Sequence, residues 1–177
     1  MAIREIRIYG DPVLKAVADK VTDINGRLVS VVDDMIDTLM ETSNGIGLAA
    51  NQIGIDKQIF VYDLDSEGDP QVIINPVITE SDGEWTYEEG CLSVPGLRFP
   101  IVRPKVVNLK GIDLDGNELE IEADELFGRL IQHEIDHLNG KLMLEYLDPD
   151  QLKEAKKTLR EYLTNKANES YLQDENN

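Results

Sequence analysis

The segment Gln132-His133-Glu134-Ile135-Asp136-His137 reads H-E-x-x-H and lies inside an apolar-periodic run, Leu126-Phe127-Gly128-Arg129-Leu130-Ile131. On a helix, a period of 3.6 residues places His133 and His137 one above the other on one face, with Cβ atoms roughly 5–6 Å apart. Two neutral imidazoles at that spacing can bind one metal ion. Glu134 falls beside them, where it can reach a metal-bound water without being a ligand. The chain has only two histidines, and both are here. A core helix that happens to contain two histidines is the plainer reading of a bare H-E-x-x-H, so residues elsewhere must decide.

At 177 residues, 41% of them hydrophobic, the chain reads as one domain over 1–177 that can bury a core without disulfides. Cys91 is the only cysteine. That excludes an intrachain disulfide, fits a reducing compartment and leaves one thiol to explain. The start, Met1-Ala2-Ile3-Arg4-Glu5, is neither an apolar signal nor an Arg-rich presequence, and no stretch approaches membrane-spanning length. The expectation is a cytoplasmic protein with no membrane partner. A net charge of −18 repels phosphate backbones and argues against DNA binding.

The elements around the motif follow from pattern. Residues Ile3 to Ile8 alternate weakly and predict a short strand before the turn Tyr9-Gly10-Asp11-Pro12. From about Asn25, the residues Leu28, Val31, Val32, Met35, Ile36, Leu39 and Met40 trace the apolar stripe of a core-facing helix. Gly45-Ile46-Gly47-Leu48-Ala49-Ala50-Asn51-Gln52 follows. It is no phosphate loop, because it succeeds a helix and no Lys-Ser/Thr closes it. A plain helix-to-strand turn and a loop presenting backbone to a ligand fit these glycines equally. Gln58 to Leu64 and Val72 to Thr79 read as strands. Trp85 and Tyr87 precede Glu88-Glu89-Gly90-Cys91-Leu92-Ser93-Val94-Pro95-Gly96, a segment too rich in Gly and Pro for a helix that reads as strand leading into a loop. Pro104 to Asp124 reads as a hairpin with a type I′ turn at Asp115-Gly116. Asp113, Asp115 and Asn117 imitate a calcium loop, but the glycine is misplaced and strands flank it, so calcium is rejected.

Asp124 can cap the motif helix and Gly140 can end it. Asp148-Pro149 opens a last helix with a buried stripe of Leu152, Ala155, Leu159 and Tyr162. Its other face is locally basic, with Lys153, Lys156, Lys157, Arg160 and Lys166, and the tail from Glu169 should fray.

A catalytic metal site needs a third protein ligand and an open position. Glu145, Glu154 or Glu161 in that role would describe a thermolysin-like zinc endopeptidase. Cys91, 42 positions before His133, is the stronger candidate beside two histidines and a glutamate. A thiolate with two imidazoles suits Zn2+, Fe2+, Co2+ or Ni2+, not Mg2+ or Ca2+. A non-catalytic, metal-stabilised interaction domain would need a closed four-ligand site, toward which the chain offers only one cysteine and two histidines.

Three segments together, Gly45 to Gln52, Glu89-Gly90-Cys91-Leu92-Ser93 and Gln132 to His137, match in order and spacing the signature motifs of the peptide deformylases. The resemblance extends over nearly the whole chain. It implies an α+β fold with antiparallel sheets wrapped around a central metal-binding helix, plus an N-terminal and a C-terminal helix. It implies removal of the formyl group from N-formylmethionine at the start of newly made polypeptides, releasing formate. By the same resemblance Cys91, His133 and His137 are the ligands and Glu134 the acid/base. The Gln52 side chain and the Leu92 backbone N–H are oxyanion donors. Fe2+ is the implied native metal, with Zn2+, Ni2+ or Co2+ possible in isolated protein and zinc forms usually much less active. A metal-bound hydroxide would attack the formyl carbon while Glu134 moves the proton.

In the family, backbone around Ile46, Gly47 and Glu89 pairs with the extended peptide as an added strand, and a Cβ at Gly47 would crowd that chain. Ile46, Leu126 and Leu130 are expected to line the methionine pocket. Arg129 interrupts the apolar lining and is expected to border the pocket. Asp136 is expected to pair with Arg98 or Arg103, because an unpaired buried charge is costly. Family members can dock on the ribosome through the last helix, and the basic face here is consistent with that.

Overall fold

The computed structural model describes residues 2–64 and 68–174, the last seven as backbone only. Its architecture is α+β. Helix α1 spans Gly26–Glu41, α2 spans Glu125–Leu138 and α3 spans Pro149–Asp174. Seven strands run β1 Gly47–Ala49, β2 Ile59–Tyr62, β3 Gln71–Asp82, β4 Trp85–Cys91, β5 Val94–Arg103, β6 Val106–Ile112 and β7 Glu118–Asp124. They form a five-stranded sheet of order β1-β2-β3-β6-β7 and a two-stranded sheet β4-β5, antiparallel throughout.

The alternation of side chains explains why β2 and β3 read as continuous apolar runs. Leu48, Ile59, Val61 and Ile74 pack in one core with Leu28, Val32, Met35 and Leu39 of α1. Ala49, Phe60 and Ile73 point the other way and pack with Leu130, Ile131 and Leu138 of α2. Both faces at this end of the sheet are therefore covered, and neither needs polar residues. A third cluster seats Ala155 and Leu159 of α3 against Val94 of β5 and the 3-10 turn at Met143–Tyr146.

Helix ends follow local chemistry. Asn25 Oδ1 accepts from the Arg27 and Leu28 amides at the start of α1. Asp148 Oδ1 does the same for Asp150 and Gln151 ahead of Pro149. Asp124 holds the cap position of α2 without a side-chain cap bond, and Gly140 beyond its end has φ +71°. A Cβ at Gly128 would meet the Ala123 carbonyl at 2.8 Å, so this glycine lets α2 lie close to β7.

Four expectations need correction. Residues 3–8 form no strand: their amides go singly to scattered partners, Arg4 N to Thr38 Oγ1 and Arg7 N to the Gln52 carbonyl, with no ladder. Met40 is 48% exposed, because the stripe outruns the sheet at the end of α1. Tyr162 is 39% exposed, and Leu163 is the half-buried residue there. The β6–β7 connection is longer than a two-residue I′ turn. It occupies 113–117, only Gly116 has positive φ, and Asp113 Oδ1 accepts from the Asp115 and Asn117 amides. The backbone of α3 is helical to Asp174, and the rest of the tail expected to fray lies outside the described residues.

Candidate metal centre and peptide cleft

Helix α2 places His133 and His137 with ring centroids 4.9 Å apart. The β4–β5 hairpin brings Cys91 to them from the last position of β4, with Sγ 3.2 Å from His137 Nε2. One ligand atom from each of Cys91, His133 and His137 can be chosen so that all lie within 4.8 Å of one another. Among the described residues no other group of three histidines, cysteines or carboxylates does this, so Glu145, Glu154 and Glu161 supply no third ligand.

The donor set fits a divalent transition metal: one soft sulfur and two imidazoles. The surroundings support the fit. Glu134 Oε2 and His137 Nδ1 are buried without hydrogen-bond partners among the described residues. An unpartnered carboxylate oxygen beside three donor atoms leaves room for a further group. Burial would lower the His133 value, but hydrogen bonds with Cys91 and Glu89 outweigh it and raise His133 well above the ordinary range. Burial, together with the charges of His133 and Arg103, lowers His137.

Glu134 is 4% exposed. Burial pushes its carboxyl up to about 7, opposed by His133 and reinforced by the negative charge of Glu89. The reason for Gly47 becomes clear here. A Cβ on it would lie 2.5 Å from Glu134 Oε1. The glycine clears space for this carboxylate, a second demand on the position beside the expected approach of a peptide.

Gln52 is held on a 3-10 turn, Ala50–Ile53. Its Oε1 accepts from the Ala49 amide at 2.8 Å, and its Nε2 donates to Ser93 Oγ at 3.1 Å and lies 3.9 Å from Cys91 Sγ. Leu92 and Ser93 make the turn between β4 and β5, where Cys91 pairs with Val94. Ser93 belongs to the second motif but was expected to have no role of its own; it is fully buried. Asn51, in the first motif and likewise without an expected role, donates from Nδ2 to the His137 carbonyl and ties this turn to α2.

The role of Glu89 exceeds what its motif position indicated. Its Oε2 lies 3.0 Å from His133 Nδ1, and its two oxygens accept from Arg103 Nε at 2.6 Å and Nη2 at 3.1 Å. Burial would raise this carboxyl, but bonds from His133 and Arg103 hold it far below the carboxylate range. An ionised carboxylate only accepts, so His133 Nδ1 carries the proton and Nε2 keeps its lone pair. Arg103 Nη1 also reaches Asp136 Oδ2 at 2.6 Å, as one of the two expected pairings. Arg98 instead donates to the Glu88 carbonyl.

Gln52, Glu89, Cys91, His133 and Glu134 border one cleft of about 640 Å³. Ile46 and Gly47 lie on one wall, Glu89 and Leu92 on another, and Leu126 and Leu130 on α2. Arg129 lines it too, as expected. His137 is buried and does not line it. β1 pairs only with β2, so its other edge is open toward the cleft rather than into a ladder.

A helix with this motif, a convergent thiol and an open strand edge define a metal-dependent hydrolase. The sequence pattern of the polypeptide deformylases matches residues 3–153. A peptide deformylase of Agathobacter rectalis is 51% identical over 148 residues, covering 84% of this chain and 92% of that protein. One from Thermodesulfovibrio yellowstonii is 48% identical over 152 residues, with 84% and 92% covered. The crystal structure of a peptide deformylase from Legionella pneumophila superposes with a TM-score of 0.89 at 38% identity, covering 94% of this chain and 98% of that one. The chain belongs to the peptide deformylase family. Its function is deformylation of peptides, and nothing supports the endopeptidase alternative.

Proposed function

We propose that Cys91, His133 and His137 hold one divalent transition metal, and that the site removes the formyl group from N-formylmethionine on new polypeptides. The observation that carries this reading is the convergence of those three donors beside Glu134 at the wall of the cleft. Fe2+ is the native metal in this reading, with Zn2+, Ni2+ or Co2+ able to take the same sulfur and nitrogen donors. When bound, the metal supplies Lewis acidity and lowers the pKa of water.

The chain's own residues do the rest. Glu134 takes a proton from the attacking water and returns it to the departing amine nitrogen, so formate and a free amino terminus result. Gln52 Nε2 and the Leu92 N–H donate to the oxygen that becomes negative as the formyl carbon turns tetrahedral. The peptide enters as a strand along the open edge of β1 near Ile46 and Gly47, facing Glu89 on β4. Ile46, Leu126 and Leu130 receive the methionine side chain. A site that reads one side chain and then main chain serves many proteins. The single domain 1–177 acts in the cytoplasm, and the exposed Lys153, Lys156, Lys157 and Arg160 of α3 provide a face for the ribosome.

The test is Glu134→Ala, assayed for metal content and for formate released from formyl-Met-Ala-Ser. Retained metal with almost no formate is expected. Normal turnover would remove the acid/base assignment.

A further inference from the structure

We infer that Arg129 is a positioning residue for the imidazole of His133, acting through Glu89. Arg129 and His133 are one turn apart on α2, at i and i+4, so both reach the same residue of β4. They take opposite oxygens of its carboxylate. Arg129 Nη1 donates to Oε1 at 2.7 Å, and His133 Nδ1 meets Oε2 at 3.0 Å.

Arg129 is itself fixed. Nη1 donates to the Ile101 carbonyl at 2.9 Å, Nη2 donates to the Trp85 carbonyl, and the guanidinium lies 5.3 Å from the Trp85 ring centroid. One side chain therefore ties both strands of the β4–β5 hairpin to the helix carrying the histidines.

Charge counting shows why Arg103 does not suffice. Arg103 divides its guanidinium between Glu89 and Asp136. With Arg129 included, two arginines face two carboxylates. Without it, Glu89 and Asp136 share one cation, and Oε1 keeps only Arg103 Nε, losing the donor on α2 that fixes the carboxylate beside His133. The partner of a ligating histidine sets its ring orientation, and losing such a partner typically costs about 10–100-fold in metal affinity.

This inference rests on Cys91, His133 and His137 being the ligands. The alternative for Arg129 is a mere wall of the side-chain pocket, since it also lines the cleft.

The experiment is chelator competition for Zn2+ on the full chain, with KM for formyl-Met-Ala-Ser measured at saturating metal. Arg129→Met is expected to weaken Zn2+ retention by about 10-fold or more with KM unchanged. Arg129→Lys keeps the charge but not the planar fork, so its affinity should fall between the two. Unaltered Zn2+ affinity with a raised KM would overturn the inference and make Arg129 a pocket wall. If Arg129→Met does not fold, Arg129→Lys decides: weakened Zn2+ binding supports the inference, unaltered binding overturns it. Cys91→Ala runs alongside. Loss of Zn2+ there with none in the Arg129 variants rejects only the Arg129 inference, whereas retention there rejects the ligand set and the inference with it.

Discussion

The Glu89 carboxylate and the His133 imidazole stand 3.0 Å apart, Oε2 to Nδ1, and Glu89 is 4% exposed. Arg103 and Arg129 grip the same carboxylate. Glu89→Ala would leave two buried guanidinium groups short of an anion. Breaking such a network costs about 3–5 kcal/mol. Denaturant unfolding should show that loss, and Glu89→Gln should show less of it.

Gly47→Ala is expected to keep the metal and the fold while lowering kcat. The added methyl would lie 2.5 Å from Glu134 Oε1, and the carboxylate must move. A displacement of about 1 Å at a reacting group can cost about 10²-fold. Steady-state kinetics with parallel metal analysis checks this. A raised KM at constant kcat would show instead that the methyl meets the peptide.

Gln52 has two separable jobs: it accepts from the Ala49 amide and donates toward Ser93 and Cys91. Gln52→Glu keeps the acceptor and removes the donor. Its kcat should fall by about 10²–10³, and the carboxylate it buries beside Cys91 should cost stability, since Gln52 is 2% exposed. Gln52→Leu should lose a similar factor and also about 1–3 kcal/mol, because the buried Ala49 N–H is left unpaired. A rise in KM at constant kcat in either variant would mean that Gln52 only holds substrate.

Arg4 clamps the chain start to α1 through Asp34, with Nη2 to Oδ2 at 2.5 Å. The Arg4 hydrogen bond holds the Asp34 carboxyl below its ordinary 3.8. The resulting stability is present above the unfolded value of 3.8 and is lost as pH falls through the lower folded value. Carboxyl NMR titration should place Asp34 below 3.8, and Arg4→Ala should move it upward. An unchanged Asp34 titration in that variant would contradict the assignment.

Pattern alone carried much of this architecture. The 3.6-residue stripes placed α1, α2 and α3, and the doubly covered end of the sheet made β2 and β3 legible as unbroken apolar runs. Gly47 was ambiguous because its neighbour, Glu134, is distant in sequence. Glu89 read as a strand residue facing peptide. Its grip on His133 depends on how the β4–β5 hairpin lies over α2, which no local pattern encodes. Residues 3–8 alternate like a strand, yet no neighbouring edge offers them a ladder. Met40 and Tyr162 continue helical stripes to where the packing covers them only in part, leaving them 48% and 39% exposed.

X-ray absorption of the zinc-loaded protein tests the centre most directly. One sulfur scatterer at about 2.3 Å and two imidazole nitrogens at about 2.0–2.1 Å are expected, from Cys91, His133 and His137. A first shell of nitrogen and oxygen alone, with no sulfur, would contradict the account.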